Sequence, residues 1–102
     1  MRIIWSPLAV DRVSEIAEYI ERDNPAAAER WVTTVFNKVK KLGTFPESGR
    51  TVPETKNKSI RELIYGNYRI IYRVGKDTIS ILTVRHGKQV LPIDEIKSKS
   101  SY

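Results

Sequence analysis

Residues 60 to 89, IRELIYGNYRIIYRVGKDTISILTVRHGKQ, decide the fold of this chain. Three runs rich in β-branched and aromatic residues, Ile60 to Tyr65, Tyr68 to Val74 and Thr78 to Arg85, predict three β-strands. Gly66-Asn67 is a two-residue turn of the kind that joins antiparallel neighbours, and Gly75-Lys76-Asp77 makes the second reversal. The stretch therefore predicts an antiparallel meander.

The first hairpin also has a predictable register. A two-residue loop pairs Tyr65 with Tyr68, and working outward it pairs Glu62 with Ile71 and Ile60 with Arg73. Alternation puts Tyr68, Ile70, Tyr72 and Val74 on one face, and Arg69, Ile71, Arg73 and Glu62 on the other. We expect helices to cover the tyrosine face and the arginine face to form an open, shallow, basic concavity.

The upstream half predicts one strand and two helices. Arg2 to Trp5 is a short strand, and Ser6-Pro7 can cap and begin a helix. Asp23-Asn24-Pro25 ends that helix and begins the next, which Gly43 stops. So short a link makes the two amphipathic helices an antiparallel hairpin. Thr44 to Ser59 predicts a loop.

These elements predict an α+β fold, in which an N-terminal strand and a two-helix hairpin pack on a small antiparallel sheet. At 102 residues the chain has room for one domain, which we place at residues 1–97. We expect the chain to be frayed from Ile93 onward and residues 98–102 to form a flexible tail. Trp5 and Trp31 are predicted core anchors.

Composition argues against several classes of protein. The chain has no cysteine and one histidine, so neither a disulfide framework nor a thiolate or imidazole metal cluster is expected. We predict no metal and no cofactor. The apolar stretch at the N-terminus is shorter than a signal sequence or a membrane span, which predicts a soluble cytoplasmic protein without a membrane partner.

The net charge of +6 is unevenly distributed along the chain. Residues 1 to 49 carry seven basic and seven acidic residues, whereas residues 50 to 90 carry nine basic and three acidic ones. Such segregation indicates a polyanionic partner, either nucleic acid or an acidic protein segment. The alternative is a charged surface that only keeps the protein in solution.

The candidate anion- or target-binding residues are the cations of the sheet half: Arg61, Arg69, Arg73, Arg85 and Lys88. Arginine stays charged and binds phosphate or carboxylate through two parallel hydrogen bonds. The alternative for Arg69 and Arg73 is that Glu62 simply pairs with them.

A metal-independent ribonuclease is one activity that the residues could support. Such an enzyme needs a base for the ribose 2′-hydroxyl, cations for the phosphorane and an acid for the leaving oxygen. Arg69 and Arg85 could hold the charge, His86 could be the acid, and Glu54 or Glu62 the base. The alternative for His86 is a structural role at a strand end.

Nearly the whole chain resembles the RelE/ParE superfamily of type II toxins. The resemblance rests on IIWSPLAVDRVSEIAEYI, DNPAAAERW, FPESGR, IRELIYGNYRIIYRV and ISILTVRHGKQ taken together. It implies a helical hairpin against a small antiparallel sheet, and a cognate antitoxin that wraps and neutralises the toxin. In the GNYR segment, Arg69 matches an arginine shared by many members.

The superfamily divides by target. RelE-like members cut mRNA on the ribosome, and ParE-like members poison DNA gyrase. Ile60 and Glu62 stand where RelE-like nucleases commonly have lysines. His86 matches a catalytic histidine of some members, but Gly87 follows it where those carry an aromatic residue. The pattern resembles the ParE side more closely, which implies gyrase as the partner; the alternative is a ribosome-dependent mRNA endoribonuclease that uses Arg69, Arg85 and His86.

Overall fold

Two helices pack on one face of a five-stranded sheet in the computed structural model, which describes residues 1–87 and 91–96. In chain order the elements are β1 (Arg2–Trp5), α1 (Pro7–Glu21), α2 (Pro25–Lys40), a 3₁₀ turn (Lys41–Gly43), β2 (Arg50–Thr51), β3 (Ile60–Tyr65), β4 (Tyr68–Val74), β5 (Thr78–His86) and α3 (Ile93–Ile96). The predicted α+β architecture is confirmed.

Both long helices begin where capping chemistry places them. The Ser6 hydroxyl accepts a hydrogen bond from the Ala9 amide at 3.0 Å, and the Asn24 side chain accepts one from Ala27 at 3.0 Å. Proline follows each cap at the first helical position, where no amide hydrogen is needed. The two helices form the predicted hairpin.

The strand order is β1-β5-β4-β3-β2. In the β3–β4 hairpin, Tyr65 pairs with Tyr68, Glu62 with Ile71 and Ile60 with Arg73, as predicted. The sheet is mixed, because β1 runs parallel to β5 and pairs Arg2 with Thr78. Parallel neighbours need a long connection, and here the helical hairpin and the meander lie between them.

A β-bulge interrupts the pairing of β4 with β5. Ile71 pairs with Thr83 and Tyr72 with Ile81, so Leu82 is the extra residue. The Ser6 hydroxyl donates a 2.8 Å hydrogen bond to the Leu82 carbonyl, and that hydroxyl is the same one that caps α1. A single side chain therefore joins the start of the helix to the irregularity in the sheet.

Both faces of the sheet are covered. On the helix side the core includes Val35, Leu42, Ile70 and Tyr72. On the opposite side a smaller cluster contains Val52, Ile60, Ile71, Leu82, Leu91 and Ile96. The expectation of an open concavity on the arginine face is wrong, because Val52, Leu91 and Ile96 pack there. All three come from segments whose sequence has no apolar periodicity.

Two segments are more ordered than the sequence indicates. The predicted loop from Thr44 to Ser59 contains β2, which pairs with β3. The tail is not frayed at Ile93, since α3 extends to Ile96, which is 5% exposed. The flexible tail predicted at 98–102 lies outside the described residues.

The Tyr72 hydroxyl holds the first part of that predicted loop against the sheet. It donates to the Pro46 carbonyl at 2.8 Å and accepts from the Gly49 amide at 3.0 Å. Tyr72 is itself fully buried. Two backbone groups of the FPESGR segment thus bind one phenol.

Candidate functional site

Arg69 lies at the centre of a chain of four charged side chains. Its Nε donates to Glu62 at 2.6 Å, and its two terminal nitrogens donate to the two oxygens of Glu54 at 2.7 Å each. The second oxygen of Glu62 accepts from Arg50 Nε at 2.6 Å. We call Arg50, Glu62, Arg69 and Glu54 the charge chain.

The charge chain is electrically balanced, with two guanidinium groups and two carboxylates. The hydrogen bonds from Arg69 lower the pKa of Glu54 to about 2. The bonds that Arg69 donates to Glu54, together with the one that it donates to Glu62, raise the pKa of Arg69. Arg69 is 5% exposed and Glu62 is 1% exposed. The alternative in which Glu62 simply pairs with Arg69 describes this geometry, and Arg69 does not present a guanidinium to the solvent.

Arg85 belongs to a second ionic cluster, centred on Glu95 of α3. Glu95 accepts hydrogen bonds from Arg85, from the Thr83 hydroxyl at 2.8 Å and from Arg12 of α1 at 3.1 Å. Burial opposes the ionisation of Glu95, but the bonds from Thr83 and Arg12 and the charges of Arg85 and Arg12 together outweigh it and lower its pKa. This cluster fastens α3 to β5 and α1.

His86 and Tyr68 are paired across the ends of β5 and β4, and their rings meet edge to face with centroids 5.6 Å apart. Together with Asn67 they form a wall shared by two hollows. The first hollow, of about 540 Å³, is also lined by Glu54, Ile64 and Arg69. The second, of about 550 Å³, is also lined by Arg12, Tyr19 and Arg85.

The structure therefore brings Arg69, Arg85 and His86 to one end of the meander. It separates the other predicted cations from them. Arg61 lies on the helix face, where it donates to the Gly49 carbonyl at 2.7 Å, and Arg73 pairs with Ile60 near the opposite end of the sheet. Lys88 lies outside the described residues.

Both of the predicted nuclease bases are bound to Arg69. Both Glu54 and Glu62 accept hydrogen bonds from its guanidinium, and a carboxylate with a pKa of about 2 is a weak base at neutral pH. The same bonds engage the guanidinium that would have to bind a phosphorane. The arrangement can hold the strands and the Glu54 segment together, and it is poorly suited to proton abstraction.

Sequence reasoning missed Arg12, Arg50 and Glu95. Arg12 sits among acids on an amphipathic helix and looks solvated, while Glu95 occupies a short segment with no periodic pattern. A signal was available for Arg50: pairing β2 beside β3 would have set it opposite Glu62, but two residues are too few for a strand pattern.

Comparison with known proteins identifies the family. Residues 3–91 match the model of the ParE toxin of the type II toxin-antitoxin system, parDE. The chain is 42% identical over 93 residues to "Putative toxin Y4kP" of Sinorhizobium fredii, spanning 89% of this chain and 93% of that protein.

Two further likenesses agree with this match. The chain is 28% identical over 90 residues to "Toxin RelE2" of Caulobacter vibrioides, spanning 87% of this chain and 98% of that protein. Its fold matches a chain of the chromosomal ParDE toxin-antitoxin system from P. aeruginosa with a TM-score of 0.70 at 21% identity, covering 84% of this chain and 95% of that one. Among the described residues, no helix is long and apolar enough to cross a membrane. The chain belongs to the ParE toxin family of type II toxin-antitoxin systems.

Proposed function

We propose that this toxin arrests growth by poisoning DNA gyrase in the cytoplasm, and that its cognate antitoxin neutralises it by binding. The observation that carries the proposal is the match of residues 3–91 to the ParE toxin family. The toxin acts as a binding poison, and its residues perform no covalent chemistry.

The geometry around Arg69 supports a binding role over a nuclease role. A metal-independent ribonuclease needs a free base and an uncompensated cation within reach of one phosphate. Here Arg69 binds two carboxylates and Arg85 binds Glu95. The charge chain has equal numbers of guanidinium groups and carboxylates, and in the second cluster Arg12 and Arg85 both bind Glu95 while Arg12 also pairs with Glu15.

A second candidate function is mRNA cleavage on the ribosome. The observation in its favour is that His86 lies on the wall of both hollows, with Arg69 lining one and Arg85 the other. His86 would then be the general acid, and Arg69 and Arg85 would have to leave their carboxylates when RNA binds.

Two assays on the purified toxin separate these functions. We expect the toxin to inhibit supercoiling by gyrase and to accumulate cleaved DNA complexes, while leaving mRNA on programmed ribosomes intact. Cleaved mRNA together with unaffected gyrase would overturn the proposal.

The variant His86→Ala also distinguishes gyrase poisoning from mRNA cleavage. Under the gyrase proposal the variant retains nearly full toxicity, because no proton transfer is involved. Under the nuclease alternative, loss of a general acid reduces cleavage by about 10²- to 10⁴-fold. Tyr19→Ala is the matched control, because Tyr19 lines the second hollow with His86 but has no catalytic role in the nuclease alternative.

A further inference from the structure

The end of the sheet opposite His86 collects cations from four separate segments. The Arg2 amide donates to the Asp77 carbonyl at 3.1 Å, which sets β1 beside the β4–β5 turn. The Val74 amide donates to Ser59 at 2.8 Å, which sets the end of β4 beside the residues that precede β3. The amino group of Met1 donates to Gly43 at 2.9 Å, which brings the end of α2 to the same place.

These contacts define what we call the basic end: Arg2, Lys40, Lys41, Lys58, Arg73 and Lys76. All of them are exposed except Arg73, which is half-buried. The β4–β5 turn also places one acid, Asp77, beside these cations. In the sequence, the charges of Arg2, Lys40 and Lys41 are balanced by acids of the same half of the chain. In the fold many of those acids lie at the far end of the molecule, where they flank the link between the helices: Glu18, Glu21, Asp23 and Glu29.

The charges of Arg2, Lys58 and Lys76 in the basic end are available, unlike those of Arg69 and Arg85. Within residues 1–87 and 91–96, the side chains of Arg2, Lys58 and Lys76 take part in no ion pair. Folding thus pairs the cations of the charge chain with carboxylates and brings Arg2, Lys58 and Lys76 together at the basic end. The basic end is therefore the surface to which a polyanion would be attracted.

The chemistry of the basic end fits phosphates better than an acidic peptide. A segment that folds as it binds needs apolar anchor pockets as well as charge, and among the described residues the large exposed apolar side chains near this end are Met1 and Phe45, both on its helix side. Phosphate binding needs only cations with freedom to move, which lysines on turns supply.

The layout also favours a duplex over a single strand. Three strand spacings of about 4.8 Å separate β1 from β3, so strand geometry predicts roughly 14 Å between the ends of these strands, close to the width of about 12 Å of a major groove. Single strands are held by rows of aromatic side chains on which the bases stack. The described residues of the basic end do not form such a row. We propose that the basic end binds the phosphate backbone of duplex DNA without sequence preference.

This inference goes beyond gyrase poisoning and is tested without gyrase. The measurement is the binding of the full-length toxin to a short fluorescent DNA duplex at several salt concentrations. We expect the logarithm of the binding constant to fall with the logarithm of salt by about 0.9 for each phosphate contacted. In Lys58→Gln/Lys76→Gln that slope becomes shallower by about two, and binding at low salt weakens about tenfold.

Arg22→Gln/Arg30→Gln is the matched control. It removes the same two positive charges from exposed positions beside the link between the helices. The proposal expects this variant to keep the wild-type slope. Equal effects of the two double variants would overturn it, because net charge alone would then explain binding.

A second arm replaces DNA with a polyglutamate peptide. If the peptide binds with the same dependence on Lys58 and Lys76 and the duplex does not bind, the surface serves an acidic protein and the proposal fails. If purified toxin poisons gyrase but binds no duplex, the gyrase proposal stands and this inference fails. Circular dichroism of every variant establishes that a lost signal reflects lost charge and not lost fold.

Discussion

Arg69 illustrates how one residue can match a motif and still have a different task. Its guanidinium makes hydrogen bonds to two carboxylates, and the whole residue is almost fully withdrawn from water. Burying either charge without its partner would be strongly unfavourable. The arginine that aligns with a shared position of the superfamily therefore holds the Glu54 segment to the sheet in this protein.

Glu54 should make the stability of the toxin sensitive to acid. Its pKa is lowered from 4.5 to about 2 by Arg69, so its contribution to the free energy of unfolding is complete above pH 4.5 and is lost as the pH falls towards 2. Urea denaturation of wild type and Glu54→Gln should give a difference that is large at neutral pH and shrinks through that window. Glu18→Gln is the control for loss of an exposed acid. A difference that does not change between neutral pH and pH 2 would contradict the assigned pairing.

At the scale of elements, the segment before β3 is the part of the fold with the most unexpected order. Tyr72 binds it through two backbone groups, and Gly49 lies so close to the sheet that a Cβ there would meet the Glu62 carbonyl oxygen at 2.5 Å and the Tyr72 hydroxyl at 2.6 Å. No side chain fits at that distance. The glycine is required for close approach.

Gly49→Ala should therefore destabilise the protein by about 1–3 kcal/mol, because the loop must move off the sheet. Gly66→Asn is the control: Gly66 has a φ of +57° and open space around it, and asparagine tolerates that conformation. We expect Gly66→Asn to stay within about 0.5 kcal/mol of wild type. Chemical denaturation measures both, and comparable losses in the two variants would contradict the close approach.

The same segment marks how far sequence reasoning extends. Caps and turns act locally, so Ser6, Asn24 and Gly66-Asn67 placed the helices and the β3–β4 register correctly. The far side of the sheet depends on Val52, Leu91 and Ile96, single apolar residues that carry no period. Since their partners are distant in sequence, neither the covering of that face nor the pairing of Arg69 with Glu54 could be derived from local pattern.

At the scale of the whole molecule, the sheet is shared by two cores. Trp5 and Trp31 both lie on the helix side, and the opposite cluster includes Leu82, at the bulge of β5. Because β4 and β5 contribute to both clusters, loss of packing on one side should weaken the other. We expect one cooperative unfolding transition.

Leu82→Ala tests that coupling. Removing a fully buried leucine should cost about 2–5 kcal/mol, and the midpoints followed by tryptophan fluorescence and by far-ultraviolet circular dichroism should shift equally. Ile64→Ala, which truncates an apolar side chain that is half exposed, should shift neither by much. A dichroism midpoint that falls while the tryptophan midpoint stays would mean that the two cores unfold separately.

The hydroxyl of Ser6 limits what evolution can place at that position. Aspartate and asparagine are good helix caps in general, but a carboxylate there would face the Leu82 carbonyl without a hydrogen to offer it. Threonine keeps a hydroxyl that both accepts and donates. A position that looks like an interchangeable cap in the sequence is thus closed to aspartate by a bond made seventy-six residues away.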